Sequence, residues 1–541
     1  MQILPWITFA LVAAVGLTPP SRRIGSQIWR MMSRLAIRPL AAAAAIFAFT
    51  FTLGALLPVL GRAPIPSVHD EFANLHAADT FAHGRLTNPT PRHWEHFETV
   101  HELMRPTYAS KFPPGEGLML AVGQWLGSAA IGAVIASALA AVVIFFAMRE
   151  WISPRWALRT GILTAMHPLF FQWGQSYWGG NVAMIGSGLI FAGAGRWMRR
   201  ADLRSGILVG LGLCVFAISR PFEGLIVATL LGAVVLWHTH RRPRAMLGPA
   251  LAMLAVLIPG MMWLAYYNHR ITGDFSRLPW VEYADQAMST PIFVGQSLPA
   301  LPDYRHDKLR QFHAGYERVE FERQQRVGYL GRLWTALREV GEHWFNPPVL
   351  GLLLPCAAIA IARSRAARIG VSLFVGLLLL HPALTPWIRP QYLAAAGAGF
   401  VAVIVQSMRA LNRWSRFGPA LVAGIIAAQF ATTGVTIAQK LANDSPPGIA
   451  RENIVRRLRD LPGPDLVLVR YSPAVQSIFE WVYNDADIEA SDIVFARSID
   501  SESDRALLAD FADRSWWLLS IDGTTMDFNR LILPATKPLT E

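Results

Sequence analysis

Asp70 and Glu71 form an acid pair just after the first long apolar run of the chain. Lys111, its first lysine, stands just before the second such run, and no other follows until Lys308. Carboxylates and a cation at the mouth of a bundle could take a proton from a hydroxyl and neutralise an anionic leaving group. Ser67-Val68-His69-Asp70 has the S-x-x-D form of a helix start, and Gly84 suits a helix stop. A helix is therefore predicted over 68–83. Phe72, Leu75 and Phe81 give it an apolar side for the membrane surface or the bundle. Asp70 falls in its first turn, where partial positive charge favours the carboxylate. It is a useful base only if burial or Glu71 raises its pKa. An ordinary helix cap is the competing reading.

Six of the fourteen histidines lie between His69 and His101. His76, Asp79 and His83 share one helical face, a spacing that permits a metal site. A divalent metal ion held by Asp70 or Glu71 with a substrate phosphate is the other form this expectation takes. In PTYASKFPPGEGLMLAVGQ, a sharp Pro113-Pro114-Gly115 turn follows Lys111. Backbone N–H groups there and the lysine suit a phosphate; a lysine snorkelling at a helix end is the alternative. Arg220 in SRPFEGL and Arg389 in PWIRPQY are further donor-phosphate candidates, because an arginine fork matches phosphate geometry. Arg220 could instead pair with Glu223. Trp178, Asn181, Trp280, Glu282 and Tyr283 could line a sugar or acceptor site, although interfacial aromatic belts also explain the tryptophans.

The elements that must position these residues are membrane helices. The 541 residues are 53% hydrophobic and 16% charged, with a mean hydropathy of +0.33. Soluble domains carry about 25% charged residues. About eleven spans are read, near 40–60, 117–147, 159–174, 182–197, 205–219, 222–238, 246–267, 347–362, 369–386, 391–408 and 417–438. Every second junction is basic, beginning with Arg30, Arg34 and Arg38 before the first span and Arg149 and Arg155 after the second. The positive-inside rule puts these in the cytoplasm, and the loops 61–116 and 268–346 with the C-terminal tail outside. That distribution makes the net charge of +12 a matter of membrane orientation, with no nucleic acid partner. Ile3–Leu17 is a possible twelfth span, an interfacial segment or an extension. Cys214 and Cys356 both sit in apolar runs, which excludes a disulfide framework in the loops.

The organisation expected is an N-terminal segment (1–35), a transmembrane domain (36–440) and an outer domain (451–541). The last region has ten Lys and Arg against sixteen Asp and Glu. It reads as strands at 465–471, 492–499 and 515–522 with helices at 473–484 and 501–511, a small parallel α/β unit. It lacks a GxGxxG turn and is expected to pack or to shape a substrate site.

The motifs HDEFANLHAADTFAHGRLTNP, PTYASKFPPGEGLMLAVGQ, QSYWGGN (175–181), SRPFEGL and YNHRITGDFSRLPWVEYADQ resemble those of the GT-C superfamily of polytopic glycosyltransferases. The resemblance is to bacterial relatives of protein O-mannosyltransferases and of the lipid A aminoarabinose transferase. It covers most of the chain. It implies a mainly α fold, a polytopic transmembrane helical bundle of about 11–12 spans with a small C-terminal α/β domain on the outer face. It also implies transfer from a polyprenyl-phosphate-linked sugar to a lipid, glycan or protein acceptor at the outer face of the bacterial inner membrane. Asp70 is then the base and Glu71 its neighbour. No lectin-like domain is evident, which weakens a protein hydroxyl as acceptor. One base without a second nucleophile fits inversion at the anomeric carbon. The competing readings are a transporter or flippase of lipid-linked sugars and a non-catalytic relative, although no internal symmetry of halves is visible.

Overall fold

The computed structural model describes residues 3–240, 244–473, 480–523 and 525–531. The chain opens with α1 (Leu4–Val15) and α2 (Pro19–Ala36), then α3 (Pro39–Val59). Twelve residues rise only about 18 Å, so α1 is too short to cross a bilayer. It lies along the last helix of the bundle, where Phe9 packs on Gly424. The first polar loop holds α4 (His69–Ala82), α5 (Trp94–Phe97) and a two-stranded hairpin, β1 (Glu102–Leu103) with β2 (Ala109–Ser110). Next come α6 (Gly115–Trp125), α7 (Ala129–Arg149), α8 (Pro154–Ala165), α9 (Pro168–Trp173), α10 (Asn181–Arg200), α11 (Leu203–Ser219), α12 (Pro221–Thr239) and α13 (Arg244–Thr272). Many begin with proline, whose fixed φ and missing N–H suit the first turn.

The second polar loop contains α14 (Pro279–Ala287), α15 (Asp307–Arg310), a π-helical turn over Gln311–Glu317 and α16 (Arg318–Glu339). Gly328, at φ 67°, kinks α16 in a conformation that other residues rarely adopt. The bundle closes with α17 (Leu354–Arg363), α18 (Arg365–Leu384), a 3₁₀ turn over Pro390–Ala396, α19 (Gly397–Trp414) and α20 (Gly418–Ala442).

Among the described residues, seven helices are long and apolar enough to cross a membrane, or up to eight if one pair bent by 105° is a single span. The protein is a multi-pass membrane protein by this measure. Four of the eleven sequence-derived spans take other forms. The 159–174 run breaks between α8 and α9, α11 has 17 residues, α10 ends in a cluster of arginines, and 347–362 belongs to the bent pair. Buried neighbours let such helices be shorter or more polar than a lipid-exposed span. α7 and α19 are central, with 61% and 78% of their apolar windows buried, whereas α13 is 6% buried and faces outward.

The tail forms α21 (Ile449–Arg459), β3 (Asp465–Tyr471), β4 (Ile493–Arg497), α22 (Ser501–Asp510), β5 (Ser515–Asp522) and β6 (Thr525–Arg530). The sheet order is β4-β3-β5-β6. The first three strands are parallel, with Asp465 opposite both Ile493 and Ser515, as the sequence implies. The antiparallel β6 was not expected. Of the expected helix 473–484, residues 474–479 lie outside the described residues, and 480–484 are not helical.

Alternation along β3 sends Val467 and Val469 to one face, covered by Val455 and Leu458 of α21. Leu466 and Leu468 face the other way, onto α22 and onto Phe97, Met104 and Tyr108 of the first polar loop. One core is therefore shared between the tail and the first loop. For α4 the bundle alternative of the sequence reading holds, and the tail adds a second contact that it did not foresee. Phe72 stacks on Tyr483 of the tail at 4.1 Å, and Phe81 faces Tyr267 of α13. The helix is wedged between bundle and tail.

α4 and α6 touch because Gly117 has no side chain. A Cβ there would stand 2.8 Å from Ala77 Cβ and 3.0 Å from the Phe81 ring. Gly117→Val is expected to lower stability by about 1–3 kcal/mol through overpacking. It should also reduce activity, because it parts the elements that carry Asp70 and Lys111. Thermal unfolding of the detergent-solubilised variant, read beside its activity, checks this.

Candidate active site

The hairpin and α4 together set the central geometry. Glu102 pairs with Ser110, and the Lys111 N–H donates to the His101 carbonyl at 3.1 Å. His101 and Lys111 are thereby held side by side. Pro114 caps α6 immediately after them, and Gly115 lets that helix start approach α11, where a Cβ would stand 2.7 Å from the Ile218 carbonyl oxygen. His101 has φ +71°, a left-handed conformation that costs a non-glycine residue energy and is commonest at functional sites.

These elements frame a cavity of about 490 Å³ at the end of the bundle opposite its arginine-bearing helix ends. Asp70, Lys111, Arg220, Trp178 and Trp280 all line it, so five sequence-predicted residues from five separate segments converge. The apolar wall includes Phe222, Leu264 and Phe293, and runs out to Leu225, which is 67% exposed on a membrane-length helix.

The Asp70 side chain is 28% exposed, and the His101 imidazole stands beside it, with Nε2 3.9 Å from Oδ2. Burial pushes its pKa up to about 6, against the opposing pull of Lys111 and Arg220. Lys111 is 4% exposed, has no carboxylate within 4 Å among the described residues, and lies over the Tyr283 ring at 4.7 Å. Burial lowers its pKa to about 8, offset by Glu317 and Asp70. Burial, then Lys111, His69 and His313, holds His101 well below the ordinary histidine range, so its imidazole is neutral. Arg220 caps the α11–α12 junction and faces the Tyr392 ring at 5.0 Å. Glu223 is engaged by His381 at 3.4 Å, so the Arg220–Glu223 pair weighed from the sequence does not form.

Other predicted residues have different surroundings. Glu71 points away from the cavity and accepts bonds from Ser67 N–H (2.9 Å), Ser67 Oγ (3.2 Å) and Tyr177 N–H (3.2 Å). The helix start is thus stapled by Glu71 reaching back to Ser67, with no capping bond from the Ser67 side chain. Asn181 bonds Ser137 and the Phe170 carbonyl inside the bundle. Glu282 pairs with Arg277 and accepts from Gln286. Tyr283 lies beneath Lys111, with its hydroxyl bonded by the His101 N–H and 2.8 Å from His313 Nε2. Arg389 is exposed and lines a separate small hollow beside Tyr392.

The proposed metal face is dispersed. His76 pairs with Glu102 at 2.5 Å, Asp79 accepts from the Ala486 N–H at 2.7 Å, and exposed His83 bonds the Asp79 carbonyl. Among the described residues no three His, Cys, Asp or Glu side chains converge as a ligand set.

Glu116 was missed. It lines the cavity, and burial raises its pKa to about 7 against Arg220 and a Gly179 N–H bond. Its place after Pro-Pro-Gly at a membrane mouth was the same kind of signal as Asp70's. His101 was noted only as one of many histidines. Nothing local marked Tyr392.

No family model matches the chain, and no curated protein does. Among solved structures it is similar to ArnT from Cupriavidus metallidurans. The form bound to undecaprenyl phosphate aligns with 90% of this chain and 92% of that one, at 11% identity and a TM-score of 0.48. The apo form aligns with 91% and 94%, at 10% identity and 0.49. The apo Archaeoglobus fulgidus oligosaccharyltransferase aligns with 88% of this chain and 69% of that one, at 11% identity and 0.43. At these values the likeness is one of general architecture and carries no residue role across.

Proposed function

We propose that the protein is a membrane glycosyltransferase that moves a sugar from a polyprenyl-phosphate donor to an acceptor hydroxyl, with inversion. One observation carries this reading: a single cavity joins a carboxylate of raised pKa, Asp70, to two cations with no carboxylate within 4 Å among the described residues, Lys111 and Arg220, beside an apolar wall that runs out to exposed Leu225 on a membrane-length helix. In the reaction Asp70 takes the proton of the acceptor hydroxyl. The oxygen bonds to the anomeric carbon as the bond from that carbon to the phosphate oxygen breaks. Lys111 and Arg220 neutralise the departing polyprenyl phosphate. The isoprenoid follows Phe222, Phe293 and Leu225 out to the bilayer. The arginine-bearing helix ends belong in the cytoplasm by the positive-inside rule, which supports an outward-facing cavity and tail; the membrane of this reading is a bacterial inner membrane.

The test is release and transfer of a labelled sugar from a polyprenyl-phosphate donor by the purified protein in nanodiscs. A flippase moves the intact lipid and releases none. Neither release nor transfer by folded protein from any polyprenyl-phosphate sugar would refute the reading.

The pH dependence has a definite sign. Asp70 must be ionised, so kcat/KM rises as pH climbs through about 6. Lys111 must be protonated, so it falls above about 8. A bell with its plateau between these limits is expected, measured with saturating acceptor and varied donor.

A further inference from the structure

The second polar loop reaches the corner formed by His101 and Lys111 through the π-helical turn Gln311–Glu317. Such turns are rare and occur often at functional sites. This one sets fully buried His313 against buried Glu317, with the imidazole Nδ1 2.5 Å from the carboxylate. Phe312 of the same turn stands edge-on to His69 at 4.7 Å and to His101 at 5.4 Å. The Ser289 hydroxyl donates to the His313 carbonyl and pins the turn in place.

One chain of hydrogen bonds runs from this turn to His101. The His101 N–H donates to the Tyr283 hydroxyl at 2.9 Å, that hydroxyl stands 2.8 Å from His313 Nε2, and His313 Nδ1 bonds Glu317. Its direction is set at both ends, because a main-chain N–H only donates and a carboxylate only accepts. Tyr283 therefore donates to His313, and His313 to Glu317. The His101 carbonyl accepts from the Lys111 N–H. Both main-chain groups of a residue at φ +71° are thus bound, which lets a costly left-handed conformation persist.

The same tyrosine ring lies beneath the Lys111 ammonium. Apolar side chains of similar volume would fill this space without burying a charge. They would bring no negative charge to Lys111. Burial works against the charge of Lys111, and Glu317, ahead of Asp70, favours it. The other titratable groups around the pair are His69, His101 and His313, with Tyr283 from α14, and Arg220 meets the same cavity from the start of α12.

We propose that Glu317 is a positioning residue for the donor phosphate: by way of His313 and Tyr283 it fixes the corner of His101 and Lys111, and its negative charge supports the ammonium that receives the phosphate. The phosphate's role as donor rests on the transferase reading above. The hold of Glu317 on Lys111 does not.

The experiment measures the affinity of the nanodisc-embedded protein for farnesyl phosphate, a short polyprenyl phosphate, by tryptophan fluorescence between about pH 6.5 and about pH 9.5. Melting curves and turnover of a labelled donor are recorded beside it. Native affinity falls as pH rises through about 8, where Lys111 loses its proton. Glu317→Gln still accepts from His313 but carries no charge, so the break is expected to move down by about one pH unit. Glu317→Asp keeps the charge and should hold the break near its native position, whatever its melting temperature. Tyr283→Phe keeps ring and charge but cuts the chain; it should weaken binding about tenfold at every pH and leave the break in place. A break unmoved by Glu317→Gln overturns the proposal and leaves the transferase reading standing, and so does native affinity in Tyr283→Phe, which alone decides if Glu317→Gln does not fold. No binding of farnesyl phosphate to folded native protein at any pH overturns Lys111 as a phosphate seat and the proposal with it. A break that moves as expected in protein that turns over no donor supports the role of Glu317 and refutes the transferase reading.

Discussion

Asp70→Asn is expected to cut sugar transfer by about 10²–10⁴-fold, the usual worth of a positioned base. Asparagine has the same size, and among the described residues the carboxylate has no charged partner within 4 Å, only the neutral His101 imidazole at 3.9 Å, so little structure depends on its charge. Removing a carboxylate whose ionised form is disfavoured by burial should leave the thermal midpoint unchanged or raised at neutral pH. Glu71→Gln provides the contrast. Glu71 ties the start of α4 to Ser67 and Tyr177, so its loss should lower the midpoint more and catalysis less. Initial rates with a labelled donor, measured beside melting curves, separate the two acids. An Asp70→Asn protein with near-normal turnover removes Asp70 from the mechanism.

The second large effect is expected at the donor phosphate. Lys111→Ala should lower kcat/KM for the donor by about 10²–10³-fold, as when one preorganised group facing developing charge is deleted. The KM for the acceptor should move little. The basic limb of the pH profile should vanish with it, since that limb is the lysine losing its proton. Stability is expected to move the opposite way. Lys111 is buried without a carboxylate within 4 Å among the described residues, and its charged form is disfavoured there. Lys111→Met, which keeps the stem, should therefore melt at the same or a higher temperature while losing activity. A lysine retained for folding would lose both together, and equal damage to donor and acceptor use would likewise point to a folding role.

Much of the site was legible in linear order. Asp70, Lys111, Arg220, Trp178 and Trp280 each stand out locally, as charge or indole beside an apolar run, and all five line one cavity. Glu71, Asn181 and Glu282 stand out by the same local marks, yet they bond Ser67, Ser137 and Arg277. A side chain one position along a helix is turned by about 100°, so Asp70 and Glu71 had to part company, and local pattern does not say which faces the cavity. The His76, Asp79 and His83 face is not a converging ligand set among the described residues, for a related reason. Helical spacing aligned the residues, and the tail then took Asp79 while Glu102 took His76.

The sequence by itself determined the membrane class, the end of the bundle that carries the polar loops, and the parallel pairing of three of the four tail strands. Those follow from apolar length, arginine distribution and the period of two along a strand, all of them local quantities. The tertiary structure decided which acids are bare and which are bonded, that α4 is clamped between bundle and tail, and that His101 is tied through Tyr283 to the second polar loop. Those depend on contacts between segments hundreds of residues apart, such as Phe72 with Tyr483, and burial sets protonation only after such contacts form.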